Sequence, residues 1–377
     1  MTNLSPTAIG AWGGGRFMRF GAAVSDERFE AMLRPDGLIP TVITADVYGQ
    51  GDADLAVGRA LAGLDRYSYN LVGAVGHDFE KGERQGAKGF PRFTNPALRG
   101  PDEYADYLRG ATEASLARCG VDHFDLLLLH NPDRIGYTSP VVWEAMADLK
   151  AQGLADSVGI APGPANGFTL DIINCVESFG TVIDWAMLIL NPLEPWPSGL
   201  ALPACQANGV KVIARVADYG GLFHGDIKPG HPFLEHDHRN FRPAGWVEAG
   251  VEKINQMRPI AERTGLTTLQ LACAWGLAHA AVECVVPTLI EEEVEGCKSL
   301  EDQRDDMAML PTDAVERLTT DDLVEMSRIG DNTGCMKLKG ASPAHEGDEV
   351  ADAWGVTDEL ETAAGRWGVS PQDLLLR

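Results

Sequence analysis

The sequence lacks the features that would place the protein in a membrane or on nucleic acid. No uninterrupted apolar run approaches the length of about 18 residues that a membrane helix needs. Basic residues are few, with 31 Lys and Arg against 55 Asp and Glu, and the formal net charge is −24. Because this charge repels the phosphates of nucleic acid and anionic lipid surfaces, we expect neither as a partner.

Cysteine pairs and a secretion signal are also missing. The seven cysteines include no Cys-x-x-Cys pair, so neither a zinc knuckle nor a disulfide framework is indicated. The first residues, MTNLSPTAIGAWGGG, have neither a basic start nor an apolar run before a cleavage site. We therefore expect a cytoplasmic protein with reduced cysteines, and a homo-oligomer stays open.

What the sequence does contain is an alternation of short apolar runs and longer amphipathic segments between about residues 40 and 290. The apolar runs are typical of strands buried on both faces of a parallel sheet. They are LIPTVITAD, YNLVGAVG, FDLLLLHN, SVGIAP, TVIDWAMLIL, VKVIARV and ECVVP. Segments between them, such as DEYADYLRGATEASLARCG, repeat apolar residues every three or four positions, as helices do.

This order predicts the α/β class and, within it, a (β/α)8 TIM barrel. An open dinucleotide-binding sheet is disfavoured because no Gly-x-Gly-x-x-Gly follows the first strand. Residues 1–300 are assigned to the barrel, and residues 301–377 to a helical C-terminal extension packed on it. The extension has a different texture, with the acidic run EDQRDD, a turn-rich stretch and two short helical stretches that hold Trp354 and Trp367.

Polar residues at strand ends are the candidate functional residues, because (β/α)8 barrels carry their chemistry at the carboxyl ends of the strands. Six side chains meet this rule: Tyr48, His77, His130, Asn131, Asn191 and Arg215. Tyr48, His130 and His77 are predicted to be catalytic, since tyrosine and imidazole move protons. Asn131 and Asn191 are predicted to bind substrate. Arg215 would bind a carboxylate or sugar hydroxyls, or pair with a buried acid.

Aromatic and basic residues outside the strands extend this prediction. Trp12 and Arg16, in an early glycine-rich loop, are predicted to wall a substrate pocket. Trp354 is expected to pack rather than to bind. His345 and Glu346 are placed where the extension would reach over the barrel mouth.

A run of histidines and carboxylates also invites a metal hypothesis. Its members are His224, His231, Glu235, His236, Asp237 and His238. Because no helical spacing makes their side chains converge, a solvated loop is the better interpretation, and we predict no metal site.

Several segments resemble, in the right order, motifs of the aldo-keto reductase superfamily. TADVYGQGDADLAVGRAL is similar to the family's second-strand motif, and FDLLLLHNPD to the strand that ends in its catalytic histidine. ILNPLEP and GGLFHG are similar to later segments, so the resemblance covers roughly residues 5 to 300. It implies that Tyr48 donates a proton to a substrate carbonyl, that His130 orients the substrate, and that nicotinamide supplies hydride.

The pair that acidifies the family's tyrosine is absent from this chain. The family's aspartate and lysine fall on Ile43 and Ala74. A tyrosine without a neighbouring ammonium titrates near ~10 and is a poor acid at neutral pH. His130 or His77 would then have to supply or relay the proton.

Residues that hold nicotinamide in the family are replaced as well. Ala161 and Pro162 stand in place of Ser-Asn at the carboxamide, and Met187 stands in place of a glutamine. Thr288 replaces the glycine of the Pro-Gly that opens the loop over the adenosine phosphate. Glu291, Glu292 and Glu293 replace basic residues there, and repulsion of a 2′-phosphate favours NAD over NADP, or no cofactor at all.

Three functions therefore remain open. The first is an NAD(P)-linked oxidoreductase acting on a small carbonyl or sugar-like substrate, with Tyr48 and His130 as its acid-base pair. The second is a cofactor-independent lyase, isomerase or hydratase in the same barrel. The third is a non-catalytic binding subunit, since a fold does not fix a function.

Overall fold

The computed structural model describes residues 2–85, 89–163, 168–334 and 349–374. His345 and Glu346 lie outside the described residues. Within the described part of the chain, no helix is both long enough and apolar enough to span a bilayer.

Eight short parallel strands form one sheet in which each strand pairs with the next along the chain. The strands are β1 (Ala8–Gly10), β2 (Thr41–Ile43), β3 (Asn70–Val75), β4 (Phe124–His130), β5 (Ala155–Ala161), β6 (Trp185–Ile189), β7 (Lys211–Arg215) and β8 (Val282–Val286). A parallel bridge between Thr7 and Val285 joins the first strand to the last. The sheet thus closes on itself, which confirms the predicted (β/α)8 barrel. The short β1 is not among the strands predicted from apolar runs, because three residues carry no periodicity.

Helices surround this barrel. In chain order they are α1 (Asp26–Leu33), α2 (Asp52–Leu61), α3 (Tyr104–Cys119), α4 (Arg134–Thr138), α5 (Pro140–Ala151), α6 (Thr169–Phe179), α7 (Leu202–Ala207), α8 (Trp246–Thr264), α9 (Thr268–Leu277), α10 (Leu300–Ala308), α11 (Thr320–Gly330) and α12 (Asp358–Trp367). Local sequence sets their ends. The Thr267 hydroxyl accepts the Gln270 N–H at the start of α9, and α3 ends at Gly120, whose φ of 69° suits glycine.

The buried apolar residues form two separate cores. The larger core lies between the strands and the surrounding helices and contains the fully buried Trp143 and Trp275. The smaller core contains Trp12, Trp185 and alternate strand residues, including Ile43 and Ala74. Such alternation is how barrel strands fill the interior, so the centre of this barrel is packed with side chains.

The C-terminal extension is held against the barrel by aromatic and ionic contacts. Trp354 stacks on Phe168 with ring centroids 4.8 Å apart, and its Nε1 donates to Asp171 Oδ1 at 2.9 Å. Trp354 lies outside any helix, contrary to the sequence prediction, because α12 starts only after the Thr357 cap. The packing expected for Trp354 is what the structure shows. The assigned boundary at residue 300 remains a prediction.

Candidate functional site

Three aromatic side chains predicted to be catalytic lie together at the mouth of the barrel. Tyr48 follows β2, His77 follows β3, and His130 ends β4. The Tyr48 and His130 ring centroids are 5.7 Å apart with perpendicular rings. His77 lies 5.3 Å from His130 in a similar edge-to-face arrangement. Neighbouring parallel strands end at the same rim, and this brings residues 82 positions apart into one cluster.

His77 is fixed by two hydrogen bonds. Its Nδ1 lies 2.9 Å from the carbonyl oxygen of Phe90, and its Nε2 lies 3.2 Å from Asn131 Nδ2. A carbonyl can only accept and an amide nitrogen can only donate, so the proton belongs on Nδ1 and the lone pair on Nε2. His77 is therefore a neutral ring whose orientation is set by Asn131. Its solvent exposure is 4%.

Asn131 itself is held in an unusual conformation. Its φ of 46° is in the left-handed region, which non-glycine residues seldom occupy. The buried guanidinium of Arg92 donates through Nε to the Asn131 carbonyl oxygen and pairs with Asp352 of the extension. A chain of contacts thus leads from the C-terminal extension through Arg92 and Asn131 to His77.

Arg215, at the end of β7, faces Tyr48 across the mouth. One N–H donates to the carbonyl oxygen of Pro162 at 3.1 Å. Within the described residues Arg215 forms no ion pair. Burial lowers the pKa of its guanidinium, although Tyr48, Glu194 and Tyr137 oppose that shift. The sequence left two hypotheses for Arg215, substrate binding and pairing with a buried acid. The described residues show no such pair.

Burial keeps both members of the acid-base pair neutral. It raises the pKa of Tyr48 to about 12, with Arg215 acting in the opposite direction. Burial also lowers the pKa of His130 well below its ordinary value, and the neighbouring His77, Arg92 and Arg215 add to this effect. His130 Nδ1 is buried and has no hydrogen-bond partner among the residues that the structure describes. At neutral pH the mouth thus holds a hydroxyl donor and an unprotonated imidazole.

The buried histidines predict a loss of stability in acid. Burial, followed by the charge of Arg92, lowers the pKa of His77 to about 3, whereas the unfolded chain titrates near ~6.5. The unfolded state therefore binds more protons between these values, and stability falls as pH drops below about 6.5. We expect His77 to contribute about 2 kcal/mol to the loss between pH 7 and pH 5.

This prediction is checked by urea unfolding at both pH values for the native protein and His77→Gln. The native protein should lose about 2 kcal/mol more than the variant. Equal losses, or a His77 ring that NMR shows to be protonated at pH 5, would contradict it.

Positions that hold the acidifying pair and part of the nicotinamide contacts in the resembled family are apolar here and part of the barrel interior. Ile43 and Ala74, at the positions of the acidifying pair, and Ala161 and Met187, at positions of nicotinamide contacts, belong to one buried cluster against which the Tyr48 ring packs. Of these side chains only the Met187 thioether can take part in a hydrogen bond, as a weak acceptor. These positions therefore carry neither the ammonium group nor the side chains that bind the nicotinamide carboxamide in the resembled family, as the sequence already indicates.

The loops after β7 and β8 have their backbone donors occupied by the chain's own carboxylates. Asp218 accepts the N–H of Thr288 at 2.6 Å and that of Gly221 at 2.7 Å. Glu291 accepts the N–H of Leu300 at 3.0 Å, at the start of α10. Such N–H groups are the usual donors to phosphate. A nucleotide phosphate would have to displace these carboxylates, so the residues do not fit nicotinamide in the family's manner.

Two of the three glutamates after β8 pair with arginines, and this weakens the expected repulsion of NADP. Glu291 forms two hydrogen bonds with Arg28, and Glu292 pairs with Arg239 at 2.5 Å. Their repulsion of a 2′-phosphate is therefore weaker than the sequence implied. The obstacle to either nucleotide is instead the occupancy of the backbone donors.

Three other predicted substrate-binding residues are engaged in internal contacts. Asn191 is 1% exposed; its Oδ1 accepts the N–H groups of Leu193 and Glu194, and its Nδ2 donates to the Val216 carbonyl. Its amide holds a turn and has no group left for a substrate.

Arg16 and Trp12 are likewise tied within the chain. Arg16 donates to the Val24 carbonyl at 3.0 Å and pairs with Asp26, so its guanidinium is directed to the start of α1. Trp12 is 7% exposed, packs in the barrel interior, and donates through Nε1 to Thr288 Oγ1 at 3.3 Å. Trp12 belongs to the buried cluster against which Tyr48 packs, and its role as a wall of the substrate pocket stays a prediction.

The run of histidines and acids after β7 forms an ion-pair cluster. Asp237 and Glu292 both bind the guanidinium of Arg239, which is 1% exposed. His231 Nε2 lies 3.0 Å from Glu292, and His224 Nε2 lies 2.9 Å from the Thr288 carbonyl oxygen. Glu235 and His236 are exposed, as the prediction of a solvated loop expects, whereas His224 and Asp237 are buried and bind the chain itself.

Two residues at the mouth were missed by sequence reasoning. Arg92 lies in the loop after β3, and Tyr137 lies on α4. The Tyr137 hydroxyl is buried and has no partner in the described ranges of the chain. Neither residue directly follows a strand, so the strand-end rule could not select them. An unpartnered buried hydroxyl costs free energy unless something binds it, which marks Tyr137 as a further candidate contact for a ligand.

Comparison with known proteins gives consistent results. The family model named Aldo/keto reductase family matches residues 39–294. A protein of Oryza sativa subsp. japonica described as a probable voltage-gated potassium channel subunit beta is 24% identical over 79% of this chain and 88% of its own length. An aldo-keto reductase of Mycolicibacterium smegmatis is 31% identical, over 34% of this chain and 46% of that protein.

Solved structures share the fold at low sequence identity. The glycerol dehydrogenase of Gluconobacter oxydans has a TM-score of 0.63 at 22% identity, covering 86% of this chain and 91% of that one. An aldo/keto reductase of Klebsiella pneumoniae in complex with NADP and acetate has a TM-score of 0.56 at 22% identity, with the same coverage. Because the family model spans well over half of the sequence, this chain belongs to the aldo/keto reductase family.

Proposed function

We propose that this protein catalyses proton transfer beside the carbonyl group of a small, carboxylate-bearing substrate, without a bound nicotinamide. The observation that carries the proposal is that the barrel mouth keeps polar groups for proton transfer while the positions that would hold nicotinamide have lost theirs. The positions for nicotinamide are apolar or filled by the chain's own carboxylates, while Tyr48, His130 and Arg215 remain polar and grouped. A lyase, isomerase or hydratase needs only the second set.

Arg215 supports recognition of a carboxylate. It is a half-buried cation without an ion pair in the described part of the chain, and a guanidinium binds a carboxylate through two parallel hydrogen bonds. The Pro162 carbonyl holds only one of its N–H groups at 3.1 Å. A substrate carboxylate there would compensate a charge that burial otherwise destabilises. In a chain of charge −24, this local cation overrides the general repulsion of anions.

Tyr48 and His130 then divide the proton-transfer step. His130 is unprotonated and takes the proton as the bond between hydrogen and the carbon next to the carbonyl breaks. The electron pair moves onto the carbonyl oxygen, where the un-ionised Tyr48 hydroxyl donates a hydrogen bond to the developing charge. If the deprotonated carbon bears a hydroxyl group, the hydroxyl proton moves to the former carbonyl oxygen while protonated His130 returns its proton to the former carbonyl carbon, and this completes an isomerisation. If the hydroxyl group lies one carbon further from the carbonyl, the carbonyl re-forms as the carbon–oxygen bond to that hydroxyl breaks, and protonated His130 donates its proton to the departing hydroxyl so that water leaves in a dehydration.

Substrate binding also tunes the base. The positive charge of Arg215 contributes to lowering the pKa of His130. A bound carboxylate offsets that charge, so the pKa of His130 rises when the substrate is in place, while burial, His77 and Arg92 continue to lower it. Substrate binding thus makes the imidazole a somewhat stronger base.

Titration with NADH and with NADPH tests the proposal. We expect no saturable binding of either at millimolar concentration, by calorimetry and by fluorescence of the nicotinamide. Exchange of the carbon-bound hydrogens of small 2-oxo and 3-oxo acids with deuterium oxide is the positive test, and proton NMR should show it accelerated. Tight binding of a dinucleotide with no exchange on any acid would refute the proposal.

A nicotinamide-linked oxidoreductase is the second candidate function. Its support is membership of the family, together with the retention of Tyr48 and His130 at the positions of the family's proton donor and orienting histidine. It requires that Asp218 and Glu291 release their backbone donors. If a dinucleotide binds, substituting Asp218 by Ala should tighten that binding, because the competing carboxylate is removed.

A further inference from the structure

A cavity outside the barrel lies behind the loops that follow β2 and β3. It has a volume of about 370 Å³, far more than the roughly 15 Å³ that one water needs. Its lining includes Asp46 after β2, Asp78 and Glu80 after β3, and Tyr107 and Arg118 of α3. The cavity is separate from the interior core on which Tyr48 packs.

Asp46 is the unusual member of this lining. It is 1% exposed, and its Oδ1 has no hydrogen-bond partner in the described part of the chain. The Val47 N–H contributes a hydrogen bond to this carboxyl group, so the unpartnered atom is one oxygen. A buried carboxyl oxygen without a partner costs free energy and calls for an explanation such as an absent ion or ligand. Burial, and next to it the charge of Asp54, raise the pKa of Asp46 well above its ordinary value.

The two guanidinium groups that line the cavity bind acids other than Asp46. Arg118 binds Asp54 through Nε at 3.1 Å and through its terminal nitrogen at 3.0 Å. Arg99, which also lines the cavity, pairs with Asp78. Neither guanidinium therefore neutralises Asp46, although the charge of Arg118 lowers its pKa somewhat.

The overall charge of the lining selects a cation. Carboxylates outnumber basic groups: Asp46, Asp78, Glu80, Glu103 and Asp106 face Lys81, Arg99 and Arg118. Within the described residues, the carboxylate and imidazole atoms close enough together to hold a metal ion are a different set, formed by His123, Asp125 and Asp156. The space exceeds that of a bare ion, which favours an organic cation. The Tyr107 ring also lines the cavity, but Phe93 stacks on it at 5.1 Å and the Arg99 guanidinium lies over it at 4.2 Å, so the ring does not serve as a cation–π wall.

We propose that this cavity binds a small organic cation, an alkylammonium or guanidinium group, with the Asp46 carboxylate as its counter-ion. The cation donates a hydrogen bond to the unpartnered oxygen, and Asp46 gives up its proton as the complex forms. The charged groups facing Asp46 are Asp54 on α2, Arg118 on α3 and Glu80 in the loop after β3. Two of these three are acidic, so they add to the attraction.

The cavity is connected to the mouth of the barrel. The Tyr107 hydroxyl donates to the carbonyl oxygen of His77 at 2.8 Å. Tyr107 also carries the Arg99 guanidinium over its ring at 4.2 Å. A cation in the cavity is therefore one hydrogen bond away from the backbone of a residue in the catalytic cluster, and a shift of the His77 ring resonances is expected on binding.

Calorimetric titration of the full chain with n-propylammonium chloride and with methylguanidinium chloride tests the site, against sodium chloride at equal ionic strength. We expect one saturable site for at least one organic cation, with a dissociation constant in the millimolar range or tighter. Titration in two buffers of different ionisation enthalpy should show release of about one proton, and affinity should rise with pH.

Two variants decide whether Asp46 is the counter-ion. Asp46→Asn keeps the shape and should weaken binding at least about tenfold, since it removes a charge-assisted hydrogen bond. Ala114→Leu, which narrows the cavity without touching a carboxylate, should also weaken binding and serves if Asp46→Asn does not fold. Asp305→Asn, an exposed acid on α10, is the matched control.

Unchanged affinity in Asp46→Asn, or the absence of saturable binding with both organic cations, overturns the proposal. The site is tested without any turnover assay. Failure here therefore leaves the function proposed for Tyr48 and His130 untouched, and the reverse also holds.

Discussion

Replacing Arg239 by Met lowers the free energy of unfolding by about 3–5 kcal/mol, the largest effect on stability that we expect from a single change of charge. The side chain is 1% exposed and binds two carboxylates, that of Asp237 at 2.7 Å and that of Glu292 at 2.5 Å. Removing the guanidinium leaves both acids buried without their counter-ion, with only His231 still beside Glu292. The cost comes from the charges that remain.

Urea unfolding at neutral pH measures this change. The control is Arg328→Met, which removes an exposed partner of Glu325 on α11 and should change stability by less than about 0.5 kcal/mol. Repeating the measurement for Arg239→Met at low pH adds a further check. Protonation of Asp237 and Glu292 removes their unpaired charges, so the free energies of unfolding of the variant and the native protein should differ less at low pH. A variant as stable as the native protein at neutral pH would contradict the prediction.

Tyr48→Phe and His130→Gln each reduce the catalysed exchange of carbon-bound hydrogen by about 10²-fold or more. Tyr48→Phe removes the hydroxyl that stabilises charge on the carbonyl oxygen, and His130→Gln removes the base. The two changes leave the packing nearly intact, because phenylalanine fills the same space and glutamine is of similar size.

The measurement is proton NMR of the oxo acid that the native protein exchanges fastest in deuterium oxide. Tyr67→Phe and His236→Gln are matched controls, since both side chains are exposed and Tyr67 precedes β3, whereas His77 follows it. Controls should retain native rates. Full activity in both site variants would remove Tyr48 and His130 from the catalytic role, whereas exchange by none of the acids would count against the proposed reaction itself.

The expectation that functional residues follow the strands correctly located the side chains that lie at the carboxyl ends of neighbouring strands. Tyr48, His77, His130 and Asn131 follow neighbouring parallel strands, and the register of those strands leaves them no other meeting place. The same rule gave Asn191, but its amide is consumed by the turn that it builds. Position after a strand predicts where a residue lies, and only its hydrogen bonds tell whether it is available.

The charge arguments fared differently, because pairing is a property of the folded chain. Glu291 and Glu292 read as repulsive carboxylates in the sequence, yet Arg28 and Arg239 reach them from distant positions. The sequence predicts that Arg16 lines the substrate pocket, but in the folded chain Arg16 pairs with Asp26. Two groups that lack partners in the described part of the chain, the Arg215 guanidinium without an ion pair and the Asp46 Oδ1 without a hydrogen bond, could be recognised only once the partners of the other polar groups were known.

The sequence by itself determined the class of fold and its family, since β-branched runs alternating with amphipathic segments admit few other architectures. It also determined which of the family's polar residues are missing, because a replaced side chain is visible in the letters alone. The tertiary structure decided which remaining groups are free to act. Hydrogen bonds and ion pairs join residues far apart in the chain, and burial sets the protonation of Tyr48, His130 and Asp46. Neither can be derived from local sequence, because both depend on every element that packs against the group.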